Sequence, residues 1–211
     1  MANVSRVNGF KPVKHLNGSP YNGQANIYEV PAGETIPVFV GDLVLLSNSA
    51  ATEGYPAVEA PVAAAATSGL YVGAVVGIIN SKVDPVNGKL SNGSISLDTP
   101  VYRAASTKQL VLVADAPDLI FEAEADAAIA LTSVGLNVGV VEGNGSASLG
   151  STTTGASGMQ VDASSVNTTS TLPLQIVGFD KRVDNEANAT YNKVQVRINS
   201  HAYGSVGTTA V

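Results

Sequence analysis

The chain has 211 residues, of which only 13% are charged; its net charge is −6 and it contains no cysteine. Its 45% hydrophobic content, rich in Ala, Val, Gly, Ser, Thr and Asn, excludes a disordered polymer, which needs high charge and few β-branched residues. Missing cysteines exclude disulfides, thiolate catalysis and cysteine-held metals, and eleven scattered basic residues against seventeen acidic ones argue against nucleic acid as a partner.

A chain of this length buries roughly 70% of its unfolded surface, enough for one large β domain or two small ones. No run of about 18 apolar residues is present to span a bilayer, so no membrane partner is expected. The start, MANVSRVNGFKPVKHLNG, lacks the apolar stretch of a secretory signal, and synthesis in a cytoplasm is the expectation.

Residues 1–33 are rich in Asn, Gly and Pro, with Asn-Gly at 8, 17 and 22, and read as an extended N-terminal arm. IPVFVGDLVLL (36–46) reads as a strand broken at Gly41-Asp42 by a bulge or tight turn. Residues 47–68 are loop-like, with room for a helical turn after Pro61. GLYVGAVVGII (69–79) is apolar on both faces, which predicts a central strand with Gly73 and Gly77 at bends or close approaches. Asn87-Gly88 and Asn92-Gly93 mark two hairpins in series, with Ile95 and Leu97 alternating against polar neighbours.

TPVYRAA (99–105), QLVLVA (109–114) and DLIFEAEA (118–125) continue at the spacing of a sandwich or barrel. In the last, Leu119, Phe121, Ala123 and Ala125 share the core face while Glu122 and Glu124 face water. Asp126 is placed to cap one short helix ending at Gly135. LNVGVV (136–141) is a further strand, followed at 143–158 by an uncharged Gly/Ser/Thr loop that is either disordered or ordered by a neighbour. From Leu172 to Gly204 two strands flank a charged loop: Val194, Val196 and Ile198 face a core, while Lys193, Gln195, Arg197, Asn199, His201 and Tyr203 face solvent or a subunit. The expected fold is mainly β, an antiparallel β-barrel or β-sandwich over 34–204, with extended arms, at most one short helix, and a flexible C-terminal tail at 205–211.

Candidate chemistry is sparse. Asp115, Asp118, Glu122, Glu124 and Asp126 are close in sequence but lack the ligand spacing of a calcium loop, and read as turn, strand-face and cap residues. His15 and His201 are too few for a zinc site and no G-x-S-x-G accompanies them. GNGSAS at 143 lacks the third glycine and the following helix of a dinucleotide loop. The six N-x-[ST] sequons follow from an Asn/Ser/Thr-rich composition. Lys181, Arg182, Asp184 and Glu186 form a mixed-charge loop, either a solvated hairpin tip or an orienting contact for a neighbouring subunit. No catalytic residue, metal or cofactor is expected, and the chain does not read as an enzyme.

The opening MANVSRVNGFKPVKHLNGSPYNGQAN, the tract STTTGASGMQVDASS and the ending LPLQIVGFDKRVDNE followed by KVQVRINSHAYG resemble small virion proteins of tailed bacteriophages that accompany the major capsid protein, particularly in short-tailed marine phages. The resemblance implies a structural, non-enzymatic role: a head decoration or cement protein, built as a small β-barrel or sandwich, that binds and stabilises the outer surface of a capsid. Its partners would be the major capsid protein and copies of itself; the alternative is a head-fibre or tail component that binds a host receptor or glycan. Arg6, Phe10, Pro12 and Val13 are the expected arm contacts, because apolar and guanidinium groups in an Asn/Gly background have little else to pack against. Lys181, Arg182, Arg197, His201 and Tyr203 complete the expected interface.

Overall fold

The computed structural model describes residues 3–49, 51–62, 67–79, 101–142, 150–204 and 210, and the backbone of 82–83 and 90–91. One sheet has six strands in the order β1 (Lys11–His15), β9 (Leu119–Glu124), β13 (Lys193–Ile198), β12 (Leu174–Phe179), β10 (Asn137–Val141) and β11 (Gln160–Asn167). A second has five, in the order β2 (Asn26–Val30), β8 (Gln109–Ala114), β5 (Tyr71–Ile79), β3 (Leu43–Leu46) and β4 (Val58–Glu59). β6 (Lys82–Val83) and β7 (Leu90–Ser91) pair as a small antiparallel ribbon, as the first expected hairpin requires. Its turn at Asn87-Gly88 and the second hairpin at Asn92-Gly93, with Ile95 and Leu97, lie outside the described residues.

Strand pairing within both large sheets is antiparallel, and each sheet curls until a single parallel bridge closes it. In the five-stranded sheet Glu29 bridges Ala57, and the Glu29 N–H donates to the Pro56 carbonyl at 3.0 Å. In the six-stranded sheet Ala125, just past β9, bridges Val161 on β11. The expected mainly-β barrel or sandwich architecture is therefore what forms.

Two cores explain the sequence patterns. Val44, Val58, Val72, Val75, Val111 and Val113 fill the inside of the five-stranded sheet. Leu43, Tyr71, Ala74 and Ala114, on the other face of the same strands, pack against the six-stranded sheet's Phe121, Val138, Val161, Leu174, Val194 and Val196. β3, β5 and β8 thus lie between two cores, which is why 69–79 is apolar on both faces. β13 meets one core only, so Val194, Val196 and Ile198 alternate with half-buried Lys193, Gln195 and Arg197; each buried aliphatic contributes roughly 1.5–3 kcal/mol.

Several expectations need correction. The segment 1–33 is not a free arm: β1 pairs with β9, β2 pairs with β8, and Phe10 is buried in the core. β1 and β2 have only five residues each, set among Gly- and Asn-rich turns, so no long period marks them. The helix at 126–135 reduces to one 3-10 turn, Leu131–Ser133, with no side-chain cap; Asp126 instead accepts the Ala163 N–H at 2.9 Å. TPVYRAA is no strand in its described part, where Arg103 makes a lone bridge to Val38. Glu124 does not face water but is buried, as are Asn199 and His201. The loop 143–158 is described from residue 150, and that part is ordered by its own chain through bridges Gly150–Ser157 and Val40–Ala156. The possible turn after Pro61 falls at 63–66, outside the described residues. So do 205–209 and 211 of the tail, while Ala210 is buried and its N–H donates to the Thr168 carbonyl at 3.1 Å.

Gly41 is the tightest joint. With φ +99° it breaks the 36–46 segment into single bridges at Val38 and Val40 and the strand β3. Its carbonyl accepts the Phe10 N–H at 2.8 Å, and its N–H donates to the Val75 carbonyl at 2.7 Å. A Cβ at Gly41 would lie 2.6 Å from the Asn8 carbonyl oxygen, and one at Gly9 (φ +66°) 2.4 Å from the Gly41 oxygen. Nearby, Asp42 is buried and accepts the Phe39 N–H at 2.8 Å.

Arg103 is 1% exposed, with its guanidinium donating to the carbonyls of Thr107, Ile36 and Pro31 at 2.7 Å each. Burial pulls its pKa down to about 10. Among the described residues no carboxylate bonds it, and three backbone oxygens take the place of water around it.

Gly41→Ala is expected to cost at least about 2 kcal/mol, from left-handed strain plus the clash, read as a lowered urea midpoint at unchanged slope. Arg103→Met, which leaves three carbonyls without donors, is expected to cost about 2–4 kcal/mol in the same measurement.

Candidate functional site

The charged loop between β12 and β13 is the most heavily constrained surface feature. Asn185 Nδ2 donates to the carbonyls of Asp180 (2.7 Å) and Lys193 (2.8 Å), and its Oδ1 accepts the Lys193 N–H at 2.8 Å. From the N-terminus, Asn3 Nδ2 donates to the Glu186 and Thr190 carbonyls at 2.9 and 3.1 Å, and its Oδ1 accepts the Glu186 N–H at 2.7 Å. Asn188 (φ +64°) accepts the Leu131 N–H, and buried Asn192 donates to the Ile129 carbonyl. Tyr191 holds φ +59°, a strained value for a bulky residue that persists only because its surroundings over-determine it.

Charge fixes the base of this loop. Arg182 Nη2 pairs with Glu122 on β9 at 2.7 Å, its Nε contacts Asp180, and Asp184 lies 3.9 Å away. The next residue, Val183, is 98% exposed. Beside the loop, residues 3–6 strap across the six-stranded sheet: Ser5 Oγ and the Arg6 N–H donate to Glu124 at 2.8 and 2.7 Å, and Gln160 Nε2 adds a third bond at 3.1 Å. These donors make burial of the Glu124 carboxylate tolerable.

The expected interface residues separate into distinct places. Arg6 is exposed on the strap, and with Lys193 it lines a cleft of about 180 Å³ against the loop. Lys181 and Arg182 are exposed on the loop itself. Pro12 is half-buried and Val13 more exposed on β1, whereas Phe10 is spent in the core and presents no side chain outward. Arg197 is half-buried, its Nε donating to Gln175 Oε1 at 2.8 Å. His201 and Tyr203 lie apart from these, beyond β13. His201 is buried, and its Nδ1 accepts the Tyr203 N–H at 3.0 Å; burial holds its pKa below the usual histidine value. Tyr203 is exposed.

The five carboxylates of 115–126 disperse to different partners. Asp115 accepts from Tyr28 Oη (2.6 Å) and Asn26, Asp118 meets His15 Nδ1 at 3.0 Å, Glu122 meets Arg182, Glu124 the strap, and Asp126 the Ala163 N–H. Among the described residues no three His, Cys, Asp or Glu side chains are grouped to hold a metal.

Three open grooves flank the strands. One of about 250 Å³ has Phe10, Pro12, Tyr21, Val40 and Val76 in its lining and Lys11 beside them. A second, about 380 Å³, lies between Leu46 and Leu70, which are 40% and 49% exposed. A third, about 540 Å³, is lined by Asn26, Ile27, Tyr28, Tyr55 and Pro56. Sequence reading missed all three, because each joins residues from separate strands and loops.

Comparison of the chain with protein families, with curated proteins and with solved structures found no match.

One buried pair gives the fold a pH response. Fully buried Tyr71 donates its hydroxyl to Glu142 Oε1 at 2.6 Å, and burial pushes the Glu142 carboxyl up from 4.5 to about 7 against the lowering effect of that bond. The folded chain therefore holds this proton more tightly than the unfolded one, so stability falls as pH rises from 4.5 to about 7 and is flat above that. His201 acts with the opposite sign, since its lowered pKa removes stability as pH falls below 6.5. Glu142→Gln is expected to remove the first effect only: relative to this variant, the native chain loses stability as pH rises from 4.5 to about 7 in urea titrations.

Proposed function

We propose that this chain is a structural virion protein that binds the outer surface of a phage capsid and reinforces it, with the major capsid protein and copies of itself as partners. It would be made in the host cytoplasm and act in the particle without cofactor or catalysis. The family resemblance of its two ends supports the reading. So does a surface with few charges, and cores filled by side chains around which loops are fastened by hydrogen bonds.

The observation that carries it is the groove at Leu46 and Leu70, mostly apolar, with Glu59 and Ser68 also in its lining. Two leucines near half exposure on the rim of a folded sheet, beside Ala202, make a surface suited to packing against protein. A capsid face offering an apolar contact would cover it, burying side chains that the monomer leaves in water.

A second reading, receptor or glycan binding, draws on the third groove, where half-buried Tyr55 supplies an aromatic ring and Asn26 an exposed side chain beside the buried Tyr28. Binding to a panel of neutral oligosaccharides, abolished by Tyr55→Ala, is the outcome that would favour it.

For the capsid reading, the purified chain is expected to co-sediment with shells assembled from the phage's major capsid protein and to raise their temperature of disruption. Leu70→Asp should lower occupancy by about tenfold or more with its own melting temperature unchanged. Absence of co-sedimentation by the native chain would overturn the reading.

A further inference from the structure

We infer that loop 180–192 of one copy docks in the groove beside β1 and β5 of a second copy, Val183 entering it and Asp184 pairing with Lys11. The inference rests on the reading that copies of this chain associate, and it assigns the surface through which they do so.

Three observations lead there. The first is the cost structure of the loop. Val183 is 98% exposed at its tip, yet the backbone around it is fixed by Asn3, Asn185, Asn188 and Arg182. An apolar side chain held rigidly in water loses little freedom when a partner covers it, so most of its burial energy appears as affinity. A loop serving only to connect two strands needs no such bracing.

The second is the receiving groove, of about 250 Å³. Its lining includes Pro12, Tyr21, Val40 and Val76 over the buried Phe10, a largely apolar surface large enough for a valine side chain. Lys11 stands at the rim, exposed and in no ion pair among the described residues. The loop brings the complementary sign: Asp180, Asp184 and Glu186 outnumber Lys181 and Arg182. Asp184 is 69% exposed and 3.9 Å from Arg182, whose closer partners are Glu122 and Asp180.

The third is position. Glu122, which Arg182 grips, is the register partner of Lys11 across β1 and β9. Lys11 at the groove's rim and Glu122 at the loop's base are therefore neighbours. A two-fold axis between two copies lets each loop enter the other's groove, making two identical contacts in a closed dimer.

The test uses the full chain in sedimentation velocity and light scattering over a concentration series. A dimer is expected, converted to monomer by Val183→Asp with an unchanged circular dichroism spectrum and melting temperature. Asp184→Lys and Lys11→Glu should each weaken the dimer by about tenfold, and the double variant, which reverses both charges, should regain most of that loss. Rescue separates a direct pair from a general loss of stability. A dimer or larger oligomer insensitive to Val183→Asp and to the charge reversals would overturn the assigned surface alone. A chain that stays monomeric throughout the series would overturn self-association itself, whatever the result of shell binding.

Discussion

Everything else in the fold depends on a crossing with no room for a side chain. At Gly9 and Gly41 the lead-in to β1, the approach to β3 and the stretch before β11 pass within van der Waals contact, with Ser157 Cβ closing the third side. Each belongs to a different part of the two sheets. Their backbones meet directly: Phe10 to Gly41, Gly41 to Val75, and Val40 to both Gly155 and Ser157. Two left-handed glycines let the chains approach this closely, and the hydrogen bonds made there join the five-stranded sheet to the six-stranded one. The two cores share strands because this joint holds the sheets face to face.

Much of the β architecture was legible because period-2 alternation is local. Val194, Val196 and Ile198 on β13 declare their face without reference to any other segment, and the double-sided apolar run of β5 announces burial on both sides. What failed was anything decided by distant chain. Glu124 alternates as a solvent residue, yet Ser5 and Arg6, 119 and 118 positions away, cover it with donors. His201 continues the polar face of β13 by parity, but the strand has ended and the chain has turned under a bridge to Tyr71. The candidate surfaces were half legible: charge marked the loop containing Arg182, whereas the grooves arise only when β1, β3 and β5 are brought together. Asp126 had the spacing of a cap, and no signal near it disclosed the Ala163 N–H that it serves.

Four buried charged side chains share one feature, bonds to main chain. Glu29 accepts the N–H groups of Thr52 and Glu53, Asp42 that of Phe39, Glu124 that of Arg6, while Arg103 gives to three carbonyls. Backbone, rather than an opposite charge, satisfies them. In a chain with so few charged residues this is an economical way to fix irregular segments, since a side chain bonded to main chain needs no second ionised partner.

The pairing of β1 with β9 has a consequence for how the protein comes into being. His15 and Asp118 touch across 103 residues, and Asn3 reaches Glu186 across 183. Residues 3–15 are therefore held by segments that leave a ribosome more than a hundred residues later. Until β9 and β13 have emerged, the segment carrying Phe10 has no core to enter and no strand to join, and must remain open while more than half of the chain is synthesised. Topology of this kind folds slowly and late. During that interval the glycines and asparagines at 8, 9, 17, 18, 22 and 23, residue types that strands disfavour, lower its tendency to pair elsewhere.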